Sequence, residues 1–228
     1  MSSLINNFKK LYPSFRPFDI NGNCVISELE HVDDNGFKQL IISDVIGWQF
    51  PHEMPKKLSS IFCMSQEGID DKSKQYYAVL RLDCDGIFCV EKDKKLTLYI
   101  CELKSSFSVE NICKAKNQIV GSLIKTLGLL NLLQEYSLED IEIKGVIISY
   151  VPSVERITSL KMDSRPDYFC MKLYKKGSYS MLARRCEFFW HPLAFKNNID
   201  LVYIGVPKGN TKYSICLSDI EQKFLSDH

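Results

Sequence analysis

Two short stretches hold groups whose types and spacing could do chemistry: "LDCDG" at residues 82–86 and "CELK" at residues 101–104. A β-strand sends alternate side chains to opposite faces. On that period Leu96, Leu98, Ile100, Glu102 and Lys104 share one face, and Thr97, Tyr99, Cys101 and Leu103 share the other. The first face starts apolar and ends in two charges, which a strand seldom buries without a partner. With "KDKK" as the turn of an antiparallel hairpin centred between Asp93 and Lys94, Asp85 lies opposite Glu102 and Asp83 opposite Lys104. Directly opposed side chains have Cβ atoms about 4.5–5.5 Å apart. That register gathers three carboxylates and one amine, and a slip of one residue would scatter them.

Two close carboxylates repel each other unless positive charge lies between them. Carboxylate oxygens suit hard divalent cations such as Mg²⁺ or Mn²⁺. Such an ion polarises a phosphoryl oxygen and lowers the pKa of a bound water. A lysine beside it orients that water or offsets charge that builds up on phosphorus. Together these are the parts of phosphodiester hydrolysis. The ordinary alternative for Glu102 and Lys104 is a strand end emerging into water as a solvated pair.

The elements that must position these residues follow from periodicity and turn signals. "YYAVLRLDCDGIFCVE" and "KLTLYICELKSS" read as strands flanking the turn. Ser108 supplies an N-cap and Glu110 a first-turn acid for a helix from about Val109 to about Glu135. Ile112, Ala115, Ile119, Leu123, Leu127 and Leu130 follow helical spacing, and Lys114, Gln118 and Lys125 fall on another, solvated face. "IKGVIISYV" is a buried strand ended by Pro152. Strand, strand, helix, strand indicates an α/β core. Earlier in the chain, "CVISELEHV" and "FKQLIISDVIGWQF" read as strands, and residues 51–75 as a loop with a short helix near "PKKLSSIFCM". Later, "ARRCEFFWHPLAF" reads as helical, and "IDLVYIGVP" and "KYSICL" as strands joined by "KGNT" in a hairpin-type turn.

Asp85, then "ELK" at Glu102, Leu103 and Lys104 on the next strand, then a helix carrying Gln118, resembles the PD-(D/E)XK nuclease superfamily. The resemblance covers about residues 76–150, with Cys84 where a proline often precedes the aspartate. It implies a restriction-endonuclease-like mixed β-sheet core flanked by helices. It makes residues 1–228 a single domain, with 1–75 and 151–228 as additions completing the fold. It implies that Asp85 and Glu102 bind Mg²⁺ or Mn²⁺, with the Leu103 carbonyl as a further ligand and Asp83 as a competing one. Lys104 then assists the attacking water, and Gln118 positions water or phosphate. A carboxylate from the first helix is common in the family, and Glu28 and Glu30 are candidates for it. Ser122 stands where an exonuclease branch has tyrosine four residues after the glutamine, so an endonuclease is expected. The implied substrate is nucleic acid, DNA before RNA. The setting is restriction, repair or antiviral defence, with a helicase or ATPase partner or a homodimer. The alternative of a different class is a catalytically silent nuclease-like binding or assembly subunit.

Other features bound the reading. The chain has 228 residues, is 45% hydrophobic and carries a formal charge of +1, so a polyanion would need a local basic patch. Candidates are Lys114, Lys116, Lys175, Lys176, Arg184 and Arg185, the last four lying among aromatic residues in "KLYKKGSYSMLARRCEFFWHP". The nine cysteines form no C-x-x-C pair, which argues against structural zinc and a disulfide framework and suggests a reducing, cytoplasmic setting. His31, His52, His191 and His228 have no metal-site spacing. No signal peptide or membrane span is expected.

Overall fold

The computed structural model describes residues 3–28, 36–57, 81–93, 95–131, 141–160, 164–182 and 198–225. It is a mixed α/β fold. An eight-stranded, mostly antiparallel sheet is flanked by helices. In chain order the described elements are α1 (Ser3–Leu11), β1 (Phe18–Ser27), β2 (Gln39–Gln49), β3 (Gly86–Lys92), β4 (Lys95–Lys104) and α2 (Val109–Asn131). They continue with β5 (Ile141–Tyr150), α3 (Val154–Thr158), α4 (Arg165–Lys176), β6 (Ser178–Leu182), β7 (Asn198–Val206), β8 (Lys212–Cys216) and α5 (Leu217–Leu225). The strand order is β1-β2-β3-β4-β5-β7-β6, with β8 against β2. Within that series β4, β5 and β7 run parallel to one another, and the other neighbours on the path are antiparallel.

The core divides along the alternation of β4. Leu96, Leu98 and Ile100 pack with Ile112, Ala115, Ile119, Leu123, Leu127 and Leu130 of α2 on one face. Tyr99, Cys101 and Leu103 pack with Phe88, Phe37 and Ile220 of α5 on the other. α2 starts where Ser108 caps it, accepting the Asn111 N–H at 3.1 Å. That bond satisfies one of the donors a helix start leaves open. The helix is described as far as Asn131, and residues 132–135 of the expected span lie outside the described residues.

Several expectations are corrected. Strand β1 begins at Phe18, well before "CVISELEHV". Helices α1 and α4 and strand β6 form in segments not assigned an element above, although α4 has a Ser164 N-cap, a proline in its first turn and Gly177 at its C-cap. The strands around "KGNT" do not form a hairpin. β7 already has β5 on one edge and β6 on the other, so β8 runs parallel to residues 39–43 of β2 instead. Residues 183–195, expected to be helical, lie outside the described residues, as does most of "PKKLSSIFCM".

Two close approaches shape the sheet. A Cβ built on Gly47 would stand 2.1 Å from the Cys89 carbonyl oxygen, a backbone atom that cannot turn aside. Gly47→Ala should therefore force β2 from β3 and destabilise the chain by about 1–3 kcal/mol, as overpacking does. Thermal unfolding checks this, and an unchanged melting temperature would contradict it. On Gly86 a Cβ would lie 2.6 Å from Ile26 Cδ1, so the bare glycine lets the end of β1 cross close to the start of β3. No helix among the described residues is long and apolar enough to cross a membrane.

Candidate active site

The hairpin closes in the register expected from its turn. Asp93 adopts φ 51°, a left-handed conformation suited to a two-residue hairpin turn. Gly86 then pairs with Cys101, Ile87 with Ile100 and Lys92 with Lys95. Asp85 lies at a bend one residue before β3. Its N–H donates to the Cys101 carbonyl at 3.1 Å, and its Oδ2 accepts the Leu103 N–H at 2.7 Å. Asp85 is thus tied to the backbone of the strand that carries Glu102 and Lys104.

Glu102 and Lys104 share the α2-side face, as the period predicts, but neither emerges into water. Glu102 is 0% exposed and Lys104 7%. Lys104 Nζ donates to Glu102 Oε1 at 2.5 Å and to Gln118 Oε1 at 2.7 Å. Gln118 Nε2 in turn donates to the Asp83 carbonyl at 2.7 Å. Both ends of the Gln118 amide are therefore engaged in holding Lys104 and the segment before β3.

That segment departs from the expected strand. Asp83 does not stand opposite Lys104, because residues 82–85 precede β3 and the polar groups of residues 82–84 turn to α2. Gln118, Ser122 and Lys125 are spaced by four and three residues, so they form one stripe along the helix. Ser122 Oγ accepts the Cys84 N–H at 2.9 Å, and Lys125 Nζ donates to the Leu82 carbonyl at 2.9 Å and to the Asp83 carboxylate. Lys125, expected on a solvated face, is completely buried. Its ammonium needs the Asp83 charge and the carbonyl to be tolerated there.

The charges explain what the site can hold. Burial first, and the Asp85 carboxylate second, raise the Glu102 pKa well above the ordinary glutamate value, while Lys104 pulls it down. Glu28, just past β1, adds a smaller negative influence on Glu102. Glu30 lies outside the described residues. Glu102 Oε2 is buried with no hydrogen-bond partner. An extended residue directs its N–H and C=O to the same edge, so the Leu103 carbonyl faces the edge where its N–H meets Asp85. An unpartnered carboxylate oxygen, a second carboxylate and a carbonyl at that edge are oxygen donors of the kind Mg²⁺ or Mn²⁺ takes. The donor chemistry is of the right kind, but no group of three His, Cys, Asp or Glu side chains is arranged to hold a metal among the described residues.

The raised pKa sets a pH dependence. The folded chain holds the Glu102 proton more tightly than the unfolded chain. The resulting stabilisation is complete below the ordinary value of about 4.3 and is lost as pH rises through the higher folded value. Glu102→Gln keeps a neutral side chain at every pH. In EDTA its melting temperature should gain on the wild type as pH rises above the ordinary glutamate range. Thermal melts across pH check this, and a difference that does not vary with pH would contradict it.

A cleft of about 150 Å³ opens beside these groups, lined by Lys56, Arg81, Leu82, Asp83, Asp85, Lys114 and Gln118. Of the basic candidates among the described residues, only Lys114 lines it. Lys116 lies over the Phe169 ring at 5.6 Å, and Lys175 and Lys176 end α4. Arg184 and Arg185 lie outside the described residues. Sequence reasoning missed Lys56, Arg81 and His52. His52 Nδ1 lies 3.2 Å from the Asp85 carbonyl oxygen, which can only accept, so Nδ1 carries the proton in this contact. The closeness of Arg81 to "LDCDG" was a usable signal, whereas nothing local marks His52. No disulfide joins the described cysteines, and Cys24, Cys84, Cys89, Cys101 and Cys170 are buried.

Comparison of the chain with protein-family models, with curated proteins and with solved structures found no match.

Proposed function

We propose that this chain is a metal-dependent nuclease of the restriction-endonuclease-like type, acting on DNA before RNA and as an endonuclease. One observation carries the reading: buried Glu102 keeps an unpartnered oxygen beside Asp85 while its other oxygen takes Lys104. Asp85, Glu102 and the Leu103 carbonyl would hold Mg²⁺ or Mn²⁺. The ion would polarise a phosphoryl oxygen and make a water more acidic.

The chain's own residues supply the rest. Lys104, fixed between Glu102 and Gln118, would offer a positive charge to an attacking water or to the phosphorus it attacks. Gln118 positions that lysine and ties it to the Asp83 backbone. The Gln118–Ser122–Lys125 stripe fixes the segment that presents Asp85. Because such a site reads phosphates and not bases, specificity would come from other surfaces or from a partner such as a helicase, an ATPase or a second copy of the chain. Restriction, repair and antiviral defence are settings consistent with this chemistry.

Calorimetric titration with Mn²⁺ tests the metal step. Wild type should bind the ion, Glu102→Ala should lose that binding and Lys104→Ala should keep it. The second reading, a catalytically silent nuclease-like binding or assembly subunit, is favoured by the lack of a third metal-ligating side chain among the described residues. It predicts no Mn²⁺ binding in any of the three proteins.

A further inference from the structure

We infer that Lys56, Arg81 and Lys114 form a subsite for the backbone phosphate next to the one that is cleaved. This assignment rests on the nuclease reading of Asp85 and Glu102. The three cations come from distant parts of the chain: the segment after β2, the residues before β3, and the first turns of α2. They meet in one cleft with Asp83 and Asp85, and all three are exposed. Of the two carboxylates among the described lining residues, Asp83 pairs with buried Lys125, so the described lining is richer in cations than in acids. The chain as a whole carries only +1, so this is a local concentration of positive charge and not a property of the composition.

The placement selects the ligand class. Asp85 lines the cleft and is also bonded to the strand that bears Glu102 and Lys104. An anion seated among the three cations is therefore next to the reacting site and not within it. A strand of nucleic acid offers such an anion at every step of its backbone. Phosphate contacts of this type fix register and carry no base information.

The test is binding of a short fluorescent single-stranded oligonucleotide in EDTA, over a range of salt concentrations. The proteins are wild type, Lys56→Ala, Arg81→Ala, Lys114→Ala and, as a control, Lys92→Ala at the other end of β3. Because the three side chains are exposed, the melting temperatures should stay at the wild-type value. Each cleft variant should bind more weakly, alike for oligonucleotides of different sequence. The slope of log affinity against log salt should shrink by about 0.7 for each phosphate that a variant leaves unneutralised. Lys92→Ala should match the wild type. Cleft variants that match Lys92→Ala in affinity and slope would overturn the assignment.

Cleavage kinetics separate this inference from the reading beneath it. If the wild type cleaves and the three variants show an unchanged KM, the subsite fails and the nuclease stands. If nothing cleaves but binding still depends on the three cations, the nuclease reading fails and the phosphate subsite stands.

Discussion

Glu102→Ala should lower Mg²⁺-dependent DNA cleavage by at least about 10³-fold, and Lys104→Ala by about 10²–10³-fold. The two losses have different causes and can be told apart. Glu102 provides the buried oxygen that lacks a partner, so its removal takes away metal affinity. Lys104 touches Glu102 and Gln118, so its removal leaves the carboxylates in place. Lys104 also lowers the Glu102 pKa, against the burial and the Asp85 charge that raise it. Without the lysine, Glu102 holds its proton to still higher pH. The residual activity of Lys104→Ala should therefore need a more alkaline solution than the wild type. A pH–rate profile of the two proteins checks this, and an acid shift would contradict it.

The largest effect on stability is expected at Asp83. Its carboxylate pairs with Lys125, which is fully buried, while Asp83 keeps 19% side-chain exposure. Removing the acid leaves the buried ammonium without the Asp83 charge, still donating to the Leu82 carbonyl. Breaking a buried pair in this way costs about 3–5 kcal/mol. Asp83→Ala should reach that range. Lys125→Met should cost less, because the surviving carboxylate can turn to water and the apolar chain fills the space. Asp83→Asn should fall between them, since its amide oxygen still accepts from the lysine. Denaturant unfolding of the three variants gives the ranking. A larger cost for Lys125→Met than for Asp83→Ala would contradict it.

The same pair shows where the sequence could and could not be read. Register and face were legible at the hairpin. A two-residue turn fixes which residues oppose each other, and the strand period fixes which side they share. The shared face of Glu102 and Lys104 and the pairing of Gly86 with Cys101 followed from those two facts. The path of residues 82–84 was not legible. Their polar groups are captured by Gln118, Ser122 and Lys125 from a helix that begins over twenty residues later, and no local signal announces that capture. Lys125 also breaks a strong expectation, because lysine is almost never fully buried unless paired. The glutamine was placed on the correct helix, but its role as the link between Lys104 and Asp83 emerges only in three dimensions.

A similar limit applied at the end of the chain. "KGNT" is a good turn, and two strands flank it, yet pairing is decided by which sheet edges are open. β7 had none left, and β8 found residues 39–43. Lys56, Arg81 and Lys114 converge for the same kind of reason, through the fold and not through spacing.

The most direct measurement is cleavage of linear, circular and single-stranded DNA, and of RNA, by the wild type and by Glu102→Ala. Each is assayed with Mg²⁺, with Mn²⁺ and with EDTA. Cleavage by the wild type that needs the metal and is lost in Glu102→Ala is the predicted result. Cleavage that continues in EDTA, or at the same rate in Glu102→Ala, would contradict the assignment of this site.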